Sequence, residues 1–127
     1  MKRATLMGPL VVALALSWVT ALADTETEVN FLIDDVAASG CDFQRNGTVH
    51  DSVDAADHLR LKYRRGKRYA DTAEHFIDHL ATESSWTGQP YTVICDGVEE
   101  PSGEWLHRRL QEKRDSHVEE VSAEMSR

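Results

Sequence analysis

Cysteine is almost absent from this chain. Cys41 and Cys95 are the two among 127 residues, and no Cys-x-x-Cys occurs, so the dithiol redox and clustered-thiol metal motifs have no foothold. Positive charge is also short: 14 Lys and Arg stand against 22 Asp and Glu, a formal net charge of −8. Such a chain lacks the basic face that wraps nucleic acid. No Gly-x-Ser-x-Gly elbow and no Ser-x-x-Lys is present, which removes two common settings for a nucleophilic serine. Neither an internal repeat nor a low-complexity tract occurs. The apolar run Leu6–Val19 is broken by Gly8, Pro9 and Ser17 and followed by Thr20, short of the ~20 strongly apolar residues a spanning helix needs.

That run has another reading. Lys2 and Arg3 precede it, and Ala21-Leu22-Ala23 follows as a small-x-small site before polar Asp24. Residues 1–23 are therefore expected to be a signal peptide cut after Ala23. No nearby cysteine offers a lipid attachment point, and the leader has no Arg-Arg pair. The expected product, residues 24–127, loses Lys2 and Arg3, so its charge falls from −8 to −10. It would work outside the cytoplasm with no membrane anchor after cleavage. In an oxidising compartment an even number of cysteines reads as a disulfide, Cys41 to Cys95.

Along the chain, Val29, Leu32, Ile33, Val36 and Ala37 recur at helical spacing, and Gly40 stands where a helix C-terminal glycine belongs. Asn46-Gly47, between short alternating runs, predicts a hairpin over 41–50. Asp51 or Ser52 would cap a second helix with Val53, Ala56, Leu59 and Tyr63 inward. Asp71-x-x-Glu74 resembles a capping box opening a third, with Ala73, Phe76, Ile77, Leu80 and Ala81 on one face. Thr87-Gly88-Gln89-Pro90 is turn chemistry, residues 91–95 read as a strand, and Asp96-Gly97 turns the chain. Ser102 would cap a last helix with Trp105, Leu106 and Leu110 inward. The expectation is one α+β domain over 24–114, about four helices packed on a small antiparallel sheet of a hairpin plus a third strand. A charged, partly frayed tail, 115–127, would follow.

The motifs Arg45-Asn46-Gly47, His58-Leu59-Arg60-Leu61-Lys62, Thr72–Asp78 and Ser84-Ser85-Trp86-Thr87-Gly88-Gln89-Pro90-Tyr91 lie in a stretch, residues 28–110, that resembles the YfeK-like family of small bacterial periplasmic proteins. The chain departs from that pattern at Thr87, where serine is usual, and at the bulky Trp86. The resemblance implies a bacterial source and a periplasmic location, and supplies no activity.

Three clusters merit weighing. Ser84, Ser85, Thr87, Gly88 and Tyr91 could hold an anion around a glycine turn, or merely satisfy a helix end. Arg60, Lys62, Arg64, Arg65, Lys67 and Arg68, with Tyr63 and Tyr69 interleaved, could meet an anionic ligand or an acidic protein partner, or complement a helix C-terminus. Asp71, His75, His79 and Glu83 form an i, i+4 ladder in which His75 and His79 are weak metal candidates, against a plain solvated face. Trp86, Trp105 and Tyr91 are large enough for a ligand platform, with core packing the default. Together these favour a non-enzymatic binding or interaction module without a cofactor. Its candidate ligand-binding residues are Arg45, His58, Arg60, Lys62, Ser84, Ser85, Thr87, Gly88 and Tyr91. The alternatives are a small hydrolase or transferase using His58 and a loop serine, or a metal-handling protein.

Overall fold

The computed structural model describes residues 16–126. The expected leader lies outside them, apart from the helical backbone of residues 16–23. Helix α1 spans Leu16–Ala38. Its Val29, Leu32, Ile33 and Val36 are fully buried, as one apolar stripe on a helix should be. The chain then leaves through Gly40 at φ +68°, a left-handed conformation that costs glycine little.

Strands β1 (Asp42–Arg45) and β2 (Thr48–His50) follow. Asn46 and Gly47 between them both have positive φ, +50° and +78°, the turn that matches strand twist. Helix α2, Ser52–Arg65, is capped by Asp51, whose carboxylate accepts from the Asp54 N–H at 2.8 Å. Ala56, Leu59 and Tyr63 are buried as expected, but Val53 is 56% exposed. Ser52 takes the inward place, its hydroxyl donating to the Ala37 carbonyl of α1 at 3.2 Å. The buried stripe thus runs 52, 56, 59, 63.

Helix α3 spans Ala73–Leu80 and is capped one residue later than the motif suggests. Thr72, in extended backbone, accepts from the His75 N–H at 3.0 Å. Asp71 instead bonds the His75 ring, and Glu74 pairs with Arg114 at 2.5 Å. Strand β3, Thr92–Cys95, continues through Asp96-Gly97, again with positive φ at both, into a fourth strand, β4, Val98–Pro101. The expected three strands are therefore four, in the antiparallel order β2-β1-β3-β4. Val98-Glu99-Glu100-Pro101 has no alternating apolar face to announce it; charge and proline suit an edge strand.

Helix α4 spans Ser102–Met125. Ser102 is its first residue, not its cap: its N–H donates to the Tyr91 carbonyl at 2.9 Å, and Pro101 precedes it without a side-chain cap. Trp105, Leu106 and Leu110 are buried. The helix runs on through residues 115–125, which are exposed. Arg109 binds Asp35, and Arg114 binds Glu28 at 2.7 Å as well as Glu74, tying α4 to α1 and α3.

The core lies between the helices and one sheet face, where Phe43 meets Trp105 edge-on and Val93 is fully buried. Register pairs Phe43 with Val93. Strand alternation puts Cys41, Phe43 and Arg45 on that one face, and Tyr91, Val93 and Cys95 likewise. Cys41 and Cys95 form a disulfide at one end, Cα atoms 4.7 Å apart. Arg45 and Tyr91 occupy the other.

Candidate functional site

At that second end lies an open cleft of about 660 Å³. The tip of the β1–β2 hairpin supplies Arg45 and Asn46. The last turns of α2 supply His58, Leu61, Lys62 and Arg65, and Gly66, Tyr69, His79 and Leu80 continue the wall. Ser84, Ser85, Trp86 and Tyr91 complete it. No Asp or Glu is among these lining residues.

Tyr91 is the hub. Its backbone is held on both sides: its N–H donates to Thr82 O and its carbonyl accepts from Ser102 N–H, each at 2.9 Å. Its side chain is 7% exposed. Lys62 Nζ donates to the Tyr91 hydroxyl at 3.1 Å and to the Glu83 carbonyl at 3.2 Å, and lies 5.0 Å from the tyrosine ring centroid. Two of its three protons are thereby used, leaving one for the cleft. His58 Nε2 stands 3.5 Å from the same hydroxyl, with the rings edge-on.

The electrostatics follow from burial among cations. His58 is pushed down to about 4, first by burial, then by Arg45, Lys62 and His50, so at neutral pH its imidazole is uncharged. Burial, with Arg45 beside it, also holds Lys62 below the usual lysine range, against the opposing pull of Glu83. Burial raises the Tyr91 hydroxyl, with Arg45 acting the other way. Arg45 and Arg65 have no carboxylate partner among the described residues.

The loop hydroxyls do a different job. Ser84, 5% exposed, accepts from Trp86 N–H and Thr87 N–H, both at 3.3 Å, and from Asn46 Nδ2 at 3.4 Å. Thr87 donates to Asn46 Oδ1 at 2.7 Å and accepts from Gln89 N–H. Gly88, at φ +72°, donates its N–H to Ser84 O. These groups latch the loop to the hairpin tip. Of the candidates read from sequence, Arg45, His58, Lys62, Ser84, Ser85 and Tyr91 share the cleft, while Thr87 and Gly88 lie in the latch behind it. Arg60 turns away, bound to Asp34 and Asp57, each at 3.0 Å.

The other cluster members scatter too. Lys67 pairs with Glu26, and Arg68 lies over its neighbour Tyr69. His79 reaches the cleft wall, whereas His75 faces Asp71. The two rings sit 5.2 Å apart, and among the described residues no three His, Cys, Asp or Glu gather around a metal-sized space. His58 meets Tyr91, and no hydrogen bond joins it to a serine among the described residues. Sequence reasoning missed Asn46 as the latch and put Trp86 in the core by default. Trp105 and Tyr91 are buried, but Trp86 is 96% exposed.

Comparison with known proteins agrees with the motif resemblance. The Uncharacterized protein YfeK of Salmonella typhimurium is 41% identical over 85 residues, covering 64% of this chain and 71% of that protein. No solved structure matches the chain. A model of a family of unknown function, DUF5329, matches residues 23–114. The chain belongs to this YfeK-like family, DUF5329.

Proposed function

We propose that this protein is an exported, periplasmic binding module, not an enzyme, whose cleft takes an anionic ligand. One observation carries the reading: the cleft gathers Arg45, Lys62 and Arg65 and no carboxylate side chain, in a chain with 22 acidic residues to 14 basic ones. Arg45 and Lys62 are half-buried while Arg65 is exposed, and although Glu83 pulls on Lys62 from outside the lining, cations partly withdrawn from water gain most from an incoming anion. The side chains also suit binding better than catalysis. Among the described residues no hydrogen bond joins His58 to the Ser84 or Ser85 hydroxyl, so neither serine is paired with a base as an activated nucleophile would be. For the location, the support is the leader pattern, and the exported protein's intact mass should begin at Asp24. Retention of Met1 in a membrane-bound product would contradict it.

Calorimetry with inorganic phosphate as probe tests the cleft. Arg45→Gln should weaken phosphate binding about tenfold, the worth of one charge-assisted hydrogen bond, and added salt should weaken the wild type too. Arg60→Gln and Arg68→Gln should leave it unchanged. Equal losses at all three arginines would mean diffuse attraction and no cleft.

A further inference from the structure

An anion alone does not account for this cleft. Its volume lies within the range of small-molecule sites, about 300–1,000 Å³, far more than a bare phosphate or carboxylate fills. Trp86 adds a second observation. Its indole is 96% exposed, although its backbone is fixed: the buried Ser84 hydroxyl accepts the Trp86 N–H, and Asn46 of the facing hairpin donates to that same hydroxyl. An ordered loop therefore holds the chain's most exposed large apolar side chain, among the described residues, at the rim of a cationic cleft. Exposed aromatic area of that kind is recovered when a flat partner covers it. Short polar groups, the Ser85 hydroxyl and the His58 imidazole, line the same cleft. A neutral imidazole both donates and accepts.

We propose that the ligand is an acidic saccharide of about two or three rings, sized to the cleft. Its carboxylate meets Arg45 and Lys62, and a ring face stacks on Trp86. A pyranose offers the three features the cleft asks for: a flat C–H face for the indole, hydroxyls for Ser85 and His58, and, when oxidised at C6, a carboxylate for the cations. A long polyanion is disfavoured by the acidic remainder of the chain. The inference rests on the anion-binding reading of this same cleft.

The test uses the full chain, calorimetry and tryptophan emission. The probes are trigalacturonate, the neutral α-1,4-linked trisaccharide maltotriose, acetate and inorganic phosphate. Trigalacturonate should bind at least about tenfold more tightly than maltotriose or acetate and should shift the indole emission. Trp86→Ala, an exposed position, should weaken trigalacturonate about tenfold, abolish the emission change and leave phosphate affinity unaltered. Trp86→Phe should retain most of the affinity. If trigalacturonate binds Trp86→Ala as it binds the wild type, or no better than acetate while phosphate still binds, the saccharide is wrong and the anion cleft survives. If neither phosphate nor trigalacturonate binds, both readings fall.

Discussion

His58 condenses the site's physics into one titration. Its folded-state value of about 4 lies below the ordinary 6.5, by burial first and then by Arg45, Lys62 and His50. Between those values the unfolded chain binds a proton that the folded chain refuses. The stability associated with neutral His58 is therefore complete above about 6.5 and is lost as pH falls through about 4. Thermal melts from pH 7 to pH 4 should show this loss in the wild type and a smaller one in His58→Gln. A bound anion offsets the cations, so phosphate should raise the His58 value read by NMR; a value near 6.5 without ligand would contradict the burial. Side chains also mark where sequence reading stops. Arg45 and Lys62 were legible as cleft cations because hairpin and helix patterns place them. Arg60 was read as a candidate with them, yet it binds Asp34 and Asp57 outside the cleft, and the Asp34 partner, 26 residues away, is one that local spacing cannot reveal. Trp86 was misjudged for a related reason: aromatic residues default to the core, and only the latch through Ser84 and Asn46 explains an ordered indole left outside.

Helices were far more legible than strands. The Val29, Leu32, Ile33, Val36 stripe and the Ala73, Phe76, Ile77, Leu80 stripe are dense enough to fix a buried face. Both Asn-Gly and Asp-Gly turns were visible, yet β4 was not, since an edge strand of Val98-Glu99-Glu100-Pro101 carries no period. Caps were legible to within one residue. Thr72, not Asp71, holds the start of α3, so Thr72→Ala should cost about 1 kcal/mol, the usual worth of an N-cap. Asp71→Ala, which loses only an exposed contact with His75, should cost less. Urea denaturation of the two variants separates them, and a larger loss at Asp71 would restore the capping box. Continuity of α4 through residues 115–125 was hidden by their lack of apolar partners, which is also why those residues stay exposed.

The molecule as a whole is a staple and a cleft at opposite ends of one sheet face. Cys41 and Cys95, 54 positions apart, close a loop whose chain-entropy worth is about 4 kcal/mol, a large share of a small domain's stability. Denatured, unreduced protein should titrate with no free thiol, and Cys41→Ser with Cys95→Ser should lower stability by about 2–5 kcal/mol; two free thiols would refute the bond. At the other end, Tyr91 is clamped between Thr82 and Ser102, so the hub of the cleft sits on backbone that the core already holds still. Little rearrangement should accompany binding. The most direct measurement of the central claim is an NMR titration of the isotope-labelled chain with inorganic phosphate. Amide shifts confined to Arg45–Asn46, His58–Arg65 and Ser84–Tyr91, saturating together and absent in Arg45→Gln/Lys62→Gln, are the result expected of an anion-binding cleft. Shifts at Arg108, which pairs with Glu100 of β4, or around His75 with the cleft unmoved, or no saturation anywhere, would contradict it.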